Sequence, residues 1–169
     1  MKLTELFLAQ LEQEAPRTSR ALDRVPEGRG DWKPHEKSMS LQQLSTLVAG
    51  MSSWIPMMIN GDELDLNPPG GSQYKPSQLR TSRELVQAFD KGVAEARKAL
   101  SNTNDDHLGK PWRLLVAGKV VSEQPRHVVL RDTFMHLAHH RGQLTVYLRL
   151  NDVPVPSIYG PTADELGFG

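Results

Sequence analysis

The sequence predicts an all-α protein, a four-helix bundle with one small β-hairpin between its third and fourth helices. Three observations lead to this prediction. Apolar residues recur at helical spacing in four long stretches, capping boxes open two of these stretches, and β-prone residues are concentrated in one short region. Connections of unequal length join the four stretches. Because no internal repeat or second domain is visible, residues 1–169 are expected to form a single domain.

The first two helices are separated by a turn and an extended segment. The first helical pattern starts at the beginning of the chain, and Pro16 predicts a kink or break within it. A turn and an extended approach at 27–35 follow. Ser40, with Gln43 three residues later, forms a capping box that predicts the start of the second helix. Pro56 is expected to kink the last turn of that helix.

A long polar segment precedes the third helix. Residues 61–80 are rich in Pro and Gly, and a loop of this length in a compact domain is typically either functional or mobile. Thr81 and Glu84 form a second capping box and predict that the third helix begins there. The polar residues 102–104 are expected to end it.

The remaining elements are a hairpin, the last helix and a tail. Residues 111–122 contain two β-prone runs on either side of Ala117 and Gly118, which predicts a β-hairpin packed on the helices. The last helix is expected to start near Pro125, because proline suits a first helical position. A tail rich in Pro and Gly follows from residue 151.

Composition narrows the classes of function. Twenty basic residues balance twenty acidic ones, which argues against a nucleic-acid or anionic-membrane partner because both bind a concentrated positive field. No apolar stretch is long enough to span a bilayer and no targeting segment is visible, so a cytoplasmic protein is expected. Cysteine is absent, so a metal site here would use nitrogen and oxygen ligands.

Two histidines on the last helix are the strongest functional signal. His136 and His140 are four residues apart, so their rings lie on one face of the helix, one turn from each other. Three interpretations remain open: ordinary hydrogen-bonded helix histidines, a metal site completed from another helix, and a metal-free acid/base pair. His139 points away from both and is expected to face outward or to lie at a helix crossing.

The segment 136–143, followed by residues 147–149, resembles the signature helix of the DinB-like (damage-inducible, YfiT-like) superfamily. Residues 32–38 and 156–161 show the same resemblance, which covers nearly the whole chain in order. The resemblance implies a four-helix bundle that is often a homodimer. It also implies a divalent ion, zinc or nickel among others, bound by three histidines. Some members of the superfamily are transferases or isomerases that use a low-molecular-weight thiol.

One position departs from the superfamily pattern. His136 and His140 match the two ligands of the last helix, but Leu47 stands where the second helix normally supplies the third histidine. A catalytic zinc site usually has three protein ligands. Five other residues could replace the missing ligand, and none is convincing: His35, Met51, Asp132, His107 and His127. Of these, His107 and His127 lie near helix ends and are expected at the surface.

Two hypotheses therefore stand side by side. In the first, the chain is a divalent-metal-dependent transferase or hydrolase that uses a small-molecule thiol and an electrophilic substrate. Gln143 or Tyr147 would then orient a ring or contact the substrate, and Arg141 could attract an acidic substrate. The alternatives are that Gln143 and Tyr147 pack or cap the edge of the cavity, and that Arg141 lies on a solvated helix face. In the second, the chain is a metal-poor homologue that acts as a small-molecule binding or structural module.

Overall fold

The protein is mostly helical and carries one small sheet. The computed structural model describes residues 1–71 and 79–167. The helices are α1 (Leu3–Asp23), α2 (Leu41–Gly50), α3 (Trp54–Asn60), α4 (Ser82–Ser101), α5 (Asp105–Leu108) and α6 (Arg126–Leu150). The strands are β1 (Glu63–Asp65), β2 (Pro111–Val116) and β3 (Lys119–Pro125). In the described part of the chain, no helix combines the length and the apolar character that crossing a membrane requires.

Helix α1 is continuous through Pro16, where the sequence predicts a kink or break. It runs from Leu3 to Asp23 without a break, although Pro16 lies inside it. Proline removes one backbone hydrogen bond, but Pro16 is exposed and α1 packs against both α4 and α6, so tertiary contacts support the helix on either side. Asp105 caps its first turn from a distance, because its carboxylate accepts hydrogen bonds from the backbone N–H groups of Leu3 and Thr4 at 2.9 and 3.1 Å.

The second helical stretch is divided by a 3₁₀ turn at Met51–Ser53. The capping box of Ser40 and Gln43 is confirmed at its start. Pro56 has no N–H to donate to the carbonyl group of Ser52, so the distortion lies in the turn before the proline rather than at the end of the helix. This turn approaches α4 closely: a Cβ on Gly92 would lie 2.2 Å from the Ser52 hydroxyl oxygen.

The predicted hairpin is present, and the structure adds a third strand to it. Strands β2 and β3 are antiparallel, and Ala117 and Gly118 form the turn with φ angles of 51° and 75°. Strand β1 pairs with β2 in parallel, which the sequence did not predict. The carboxylate of Asp65 explains this pairing, because it accepts hydrogen bonds from the N–H groups of Ala117 at 3.0 Å and Gly118 at 2.7 Å.

The core lies where α1 and the α2–α3 segment each pack against α4 and α6. The capping box of Thr81 and Glu84 opens α4 as predicted, and α4 ends at the expected position. Pro125 is the residue that precedes α6 instead of its first residue. Arg126 is buried and ties the sheet to α3, since its guanidinium donates to the carbonyl oxygens of Met58 and Pro111 at 3.1 and 2.7 Å.

Two of the expected irregular segments are only partly described. The predicted loop 61–80 contains β1, and its residues 72–78 lie outside the described part of the chain. The tail from residue 151 is irregular but bound to the helices. The carboxylate of Asp164 pairs with Arg149, and that of Glu165 pairs with Arg24 at 2.8 Å.

Candidate functional site

The imidazole rings of His136 and His140 meet on one face of α6. Their Nε2 atoms are 2.8 Å apart, and the ring centroids are 4.6 Å apart. The four-residue spacing produces this contact because one helical turn separates the two residues. His136 is exposed and His140 is partly exposed. The rings therefore converge as expected, but at the protein surface and not in a hollow of the bundle.

Gln143 orients the His140 ring. Its side-chain oxygen Oε1 lies 2.7 Å from Nδ1 of His140, one turn further along α6. An amide oxygen can only accept, so Nδ1 of His140 carries the hydrogen atom and Nε2 of a neutral His140 is an acceptor. Nε2 of His136 then donates to it. These three side chains form one directed hydrogen-bond chain.

Trp54 forms the wall beside His136. Its ring, at the start of α3, lies 5.6 Å from the His136 ring between centroids. Burial first, and then the nearby His140 and His139 rings, lower the pKa of His136 below its ordinary value of 6.5. His136 is therefore mainly a neutral imidazole at pH 7. His139 is exposed, and its ring packs edge-on against His140 at 5.0 Å.

Tyr147 is close to the pair in sequence but has a structural role. Its hydroxyl group donates a 3.1 Å hydrogen bond to the backbone carbonyl of Met39, and its ring packs edge-on against Trp32 at 5.4 Å. These contacts attach the segment before α2 to α6. The structure thus agrees with the packing interpretation of Tyr147, and no contact joins it to the two histidines among the described residues.

Arg141 is placed differently from the expectation that it contacts a substrate or lies on a solvated helix face. Its side chain is only 1% exposed, and Nη2 lies 2.6 Å from Oε2 of Glu14 on α1, which is itself nearly fully buried. Nη1 donates to the Thr18 hydroxyl at 2.9 Å, and Nη2 also donates to the hydroxyl of Tyr159 in the tail. One residue along a helix is a rotation of about 100°, which takes Arg141 away from the histidine pair.

Three of the other candidate ligands have hydrogen-bond partners elsewhere in the structure. Nε2 of His107 is 2.8 Å from the carbonyl oxygen of Ile59, and Nδ1 of His127 is 3.1 Å from that of Leu108. Both rings are half-buried, so the expectation of surface positions is wrong for them. Nδ1 of His35 accepts a hydrogen bond from the Lys37 N–H in its own loop, at 3.2 Å.

The donor set does not fit a catalytic zinc centre with three protein ligands. Across residues 1–71 and 79–167, no group of three or more His, Cys, Asp or Glu side chains is arranged to hold a metal ion. Leu47 is half-buried on α2 and packs against the apolar core. Two zinc-bound nitrogens in tetrahedral geometry lie about 3.3 Å apart, so the 2.8 Å contact is also shorter than coordination requires.

Comparison with known proteins gives the family. The model of the DinB family matches residues 1–166. The chain belongs to the DinB family. Uncharacterized protein YrdA of Bacillus subtilis (strain 168) is 42% identical over 43 residues, which is 25% of this chain and 26% of YrdA. The matched segment therefore spans about a quarter of YrdA.

Two crystal structures of DinB-like proteins share this fold. The Bacillus subtilis protein YjoA superposes with a TM-score of 0.66 at 16% identity, over 87% of this chain and 92% of YjoA. A DinB-like protein from Bacillus cereus ATCC 10987 has a TM-score of 0.66 at 19% identity, over 92% and 97% of the two chains. At these identities the likeness shows the fold of this DinB-family chain and no more.

Proposed function

We propose that this DinB-family protein binds a small molecule with an acidic proton at the His136–His140 pair, without a metal ion. The main support for the proposal is the directed hydrogen-bond chain from Gln143 through His140 to His136. It starts at an amide oxygen and ends at Nδ1 of His136, which has no hydrogen-bond partner among the described residues.

The free Nδ1 atom is a base. A ligand group X–H, such as a thiol, would donate its hydrogen to the Nδ1 lone pair of His136. If the proton transfers, the X–H bond breaks, an N–H bond forms, and the anion X⁻ stays beside the imidazolium. In this step the Nε2–H of His136 keeps its hydrogen bond to Nε2 of His140, which holds the His136 ring in place.

Trp54 would supply the apolar part of the site. Its indole is half-exposed and lies next to His136, so the carbon skeleton of a small ligand can cover it while the acidic group reaches Nδ1. A groove of about 660 Å³ lies between α1 and α4 and is lined by no residue of α6, whereas the histidine pair lies at the protein surface. The proposed ligand is therefore small and bound at the surface.

A divalent-metal-dependent, thiol-using transferase or hydrolase is the second candidate. The specific observation in its favour is that both Nε2 atoms point at each other, so a separation of the rings by about half an ångström would let them share one ion. The missing third ligand counts against it. Binding by two imidazoles alone is expected to be weak.

Metal analysis of the purified protein separates the two candidates. We expect the wild type, purified without added metal, to contain far less than one equivalent of zinc or nickel. Leu47→His should raise the metal content towards one equivalent, because it supplies a third imidazole at the position that the superfamily pattern indicates. Leu47→Asn is the matched control, polar but a poor ligand. A stoichiometric ion in the wild type would overturn the metal-free proposal.

Nuclear magnetic resonance of the imidazole nitrogens tests ligand binding directly. We expect hydrogen on Nδ1 of His140 and on Nε2 of His136 in the free protein. Titration with 2-mercaptoethanol should shift the His136 nitrogens by more than those of His107, a histidine remote from the pair. Equal small shifts at both histidines would show that the pair has no preference for acidic ligands.

A further inference from the structure

A groove between α1 and α6 lies on the face of α6 that is opposite to the histidine pair. Its volume is about 300 Å³, and residues of both helices and of the tail line it. Phe7 stacks on Phe134, and seven residues further along both helices Glu14 pairs with Arg141. Helices α1 and α6 therefore run side by side in the same direction, and the groove follows them.

The middle of the groove is apolar and aromatic. The rings of Phe7 and Phe134 are nearly parallel, with centroids 6.1 Å apart and an angle of 8° between their planes. Ala138 follows one turn after Phe134, and its short side chain keeps the groove open there. Met135, which is 63% exposed, forms part of the rim. This lining suits a flat apolar group, because aromatic side chains make favourable stacked and edge-on contacts with another ring.

The end of the groove near the tail is polar and has one acceptor left for a ligand. The carboxylate oxygens of Glu14 already contact four donor side chains: Gln10, Arg17, Arg141 and Tyr159. A carboxylate offers about four lone-pair sites, so Glu14 has none left for a cationic ligand. Nε2 of Gln10 makes the 3.2 Å bond to Glu14, and Oε1 of Gln10 has no hydrogen-bond partner among the described residues. This amide oxygen can accept a hydrogen bond from a ligand.

The opposite end of the groove is positively charged. Arg131 is 62% exposed and donates to the neighbouring Asp132 through Nε and Nη2, so its Nη1 has no acceptor in the described part of the chain. A surface pair of this kind is weak, and Arg131 can turn to a ligand. Among the described side chains that line the groove or pair with its lining, three arginines face two acids: Arg17, Arg131 and Arg141 against Glu14 and Asp132. The excess of one positive charge favours an anion.

We propose that this groove binds an aromatic carboxylate with a hydroxyl group at the far end of its ring. The carboxylate pairs with Arg131, the ring lies against Phe7 and Phe134, and the hydroxyl donates to Oε1 of Gln10. From the side-by-side contacts of the two helices, Arg131 is level with Thr4, six residues before Gln10, which is about 9 Å along the helices. A para-hydroxyphenyl ring on a three-carbon acid spans about this length. The site is independent of the histidine pair.

Three matched probes test the class of ligand. We expect para-hydroxyphenylpropionate to bind with a dissociation constant of about 0.1–1 mM, the range for a ligand of about twelve non-hydrogen atoms. Phenylpropionate lacks the hydroxyl group and should bind about three- to tenfold more weakly. Tyramine keeps the hydroxyphenyl ring but carries an ammonium group, so it should bind at least about fivefold more weakly than para-hydroxyphenylpropionate. The chemical shift of the Met135 methyl group measures binding, and that of Met39, which does not line the groove, is the reference.

Substitutions assign the three contacts. Ala138→Phe should fill the groove and abolish the Met135 response. Arg131→Gln should weaken both carboxylates about fivefold and leave tyramine unchanged, whereas Arg113→Gln, the control at an exposed arginine of β2, should change neither. Gln10→Met should remove the advantage of the hydroxyl group, so that para-hydroxyphenylpropionate and phenylpropionate bind equally well.

Two controls separate this site from a loss of folding and from the histidine pair. Circular dichroism should show that each variant is folded, and the ratio of two affinities within one variant does not depend on its stability. His136→Ala should leave the affinities of all three probes unchanged, because the histidine pair is on the opposite face of α6.

Four results would overturn the proposal. One is the absence of a Met135 shift at about 10 mM para-hydroxyphenylpropionate. The second is tyramine binding as tightly as the carboxylates, which would remove the role of Arg131. The third is unchanged affinity in folded Ala138→Phe protein, because the probe would then bind elsewhere. The fourth is a hydroxyl advantage that persists in Gln10→Met.

Discussion

Two polar clusters on α6 differ in whether all of their hydrogen-bonding groups have partners within the chain. Arg141 and Glu14 are almost fully buried, and their pairing is completed by Thr18 and by Tyr159. The pair of His136 and His140 lies at the surface and ends in a free nitrogen atom. His140 and Arg141 are adjacent in sequence, yet a rotation of about 100° places Arg141 in a buried ion pair and leaves His140 at the surface.

This difference indicates which side chains of α6 are available to bind a ligand. A buried charge is tolerated only when it is paired and hydrogen-bonded, so the Arg141 cluster has no capacity left for a ligand. The carboxylate of Glu14 accepts from Gln10 and Arg17 as well, at 3.2 and 3.1 Å. The histidine cluster keeps an unused acceptor beside an aromatic wall.

Glu14→Gln should have the largest effect on stability. It leaves the buried guanidinium of Arg141 without its countercharge, which costs about 3–5 kcal/mol of the free energy of unfolding. Urea denaturation measures the loss. Glu12→Gln is the matched control, because Glu12 pairs with Arg97 on the surface at 2.6 Å and its loss should cost less than about 1 kcal/mol. Similar losses in both variants would show that the buried ion pair contributes no more to the free energy of unfolding than the surface pair.

Tyr159→Phe should have an intermediate effect. It removes the hydroxyl that donates to Glu14 and accepts from Arg141, at a cost of about 1.5 kcal/mol. Burial, opposed in part by Arg141, raises the pKa of Tyr159 above its ordinary value of 10.0. A raised pKa in the folded state contributes stability that is complete below pH 10 and is lost as the pH rises through the folded pKa.

The pH dependence provides the check on Tyr159. The stability advantage of the wild type over Tyr159→Phe should be constant from neutral pH to about pH 9 and should shrink above pH 10. Denaturation curves of both proteins across this range measure it. An advantage that grows with pH would have the opposite sign and would contradict the contacts assigned to the hydroxyl group.

Gln143→Leu should have the smallest effect on stability and a clear effect on the histidines. Gln143 is half-buried, so the free energy of unfolding should change by no more than about 0.5 kcal/mol. Without the amide oxygen, Nδ1 of His140 loses its acceptor, and the nitrogen resonances should show a mixture of tautomers. His136→Ala is the companion variant and should abolish the response of the His140 nitrogens to 2-mercaptoethanol, with an equally small change in the free energy of unfolding. An unchanged His140 tautomer in Gln143→Leu would show that the amide does not orient the ring.

Local sequence signals predicted most of the helices. The capping boxes at Ser40 and Thr81 and the turn at Ala117–Gly118 each depend on residues within a few positions of one another, so they could be recognised before the fold was known. The contact of His136 with His140 is local in the same sense. The parallel strand β1 and the cap supplied by Asp105 escaped prediction, because their partners lie about 50 and 100 residues away.

Four features could be predicted from local sequence: the helical periodicity, the capped helix starts, the hairpin turn and the position of two imidazoles on one face of α6. All of them depend on contacts within one or two turns of the chain. Only the tertiary structure decided that Arg141 is buried against Glu14, that Tyr147 fastens the segment before α2, and that the histidine pair lies at the surface beside Trp54. The physical reason is that burial depends on which distant element covers a residue, and helical spacing alone carries no information about that neighbour.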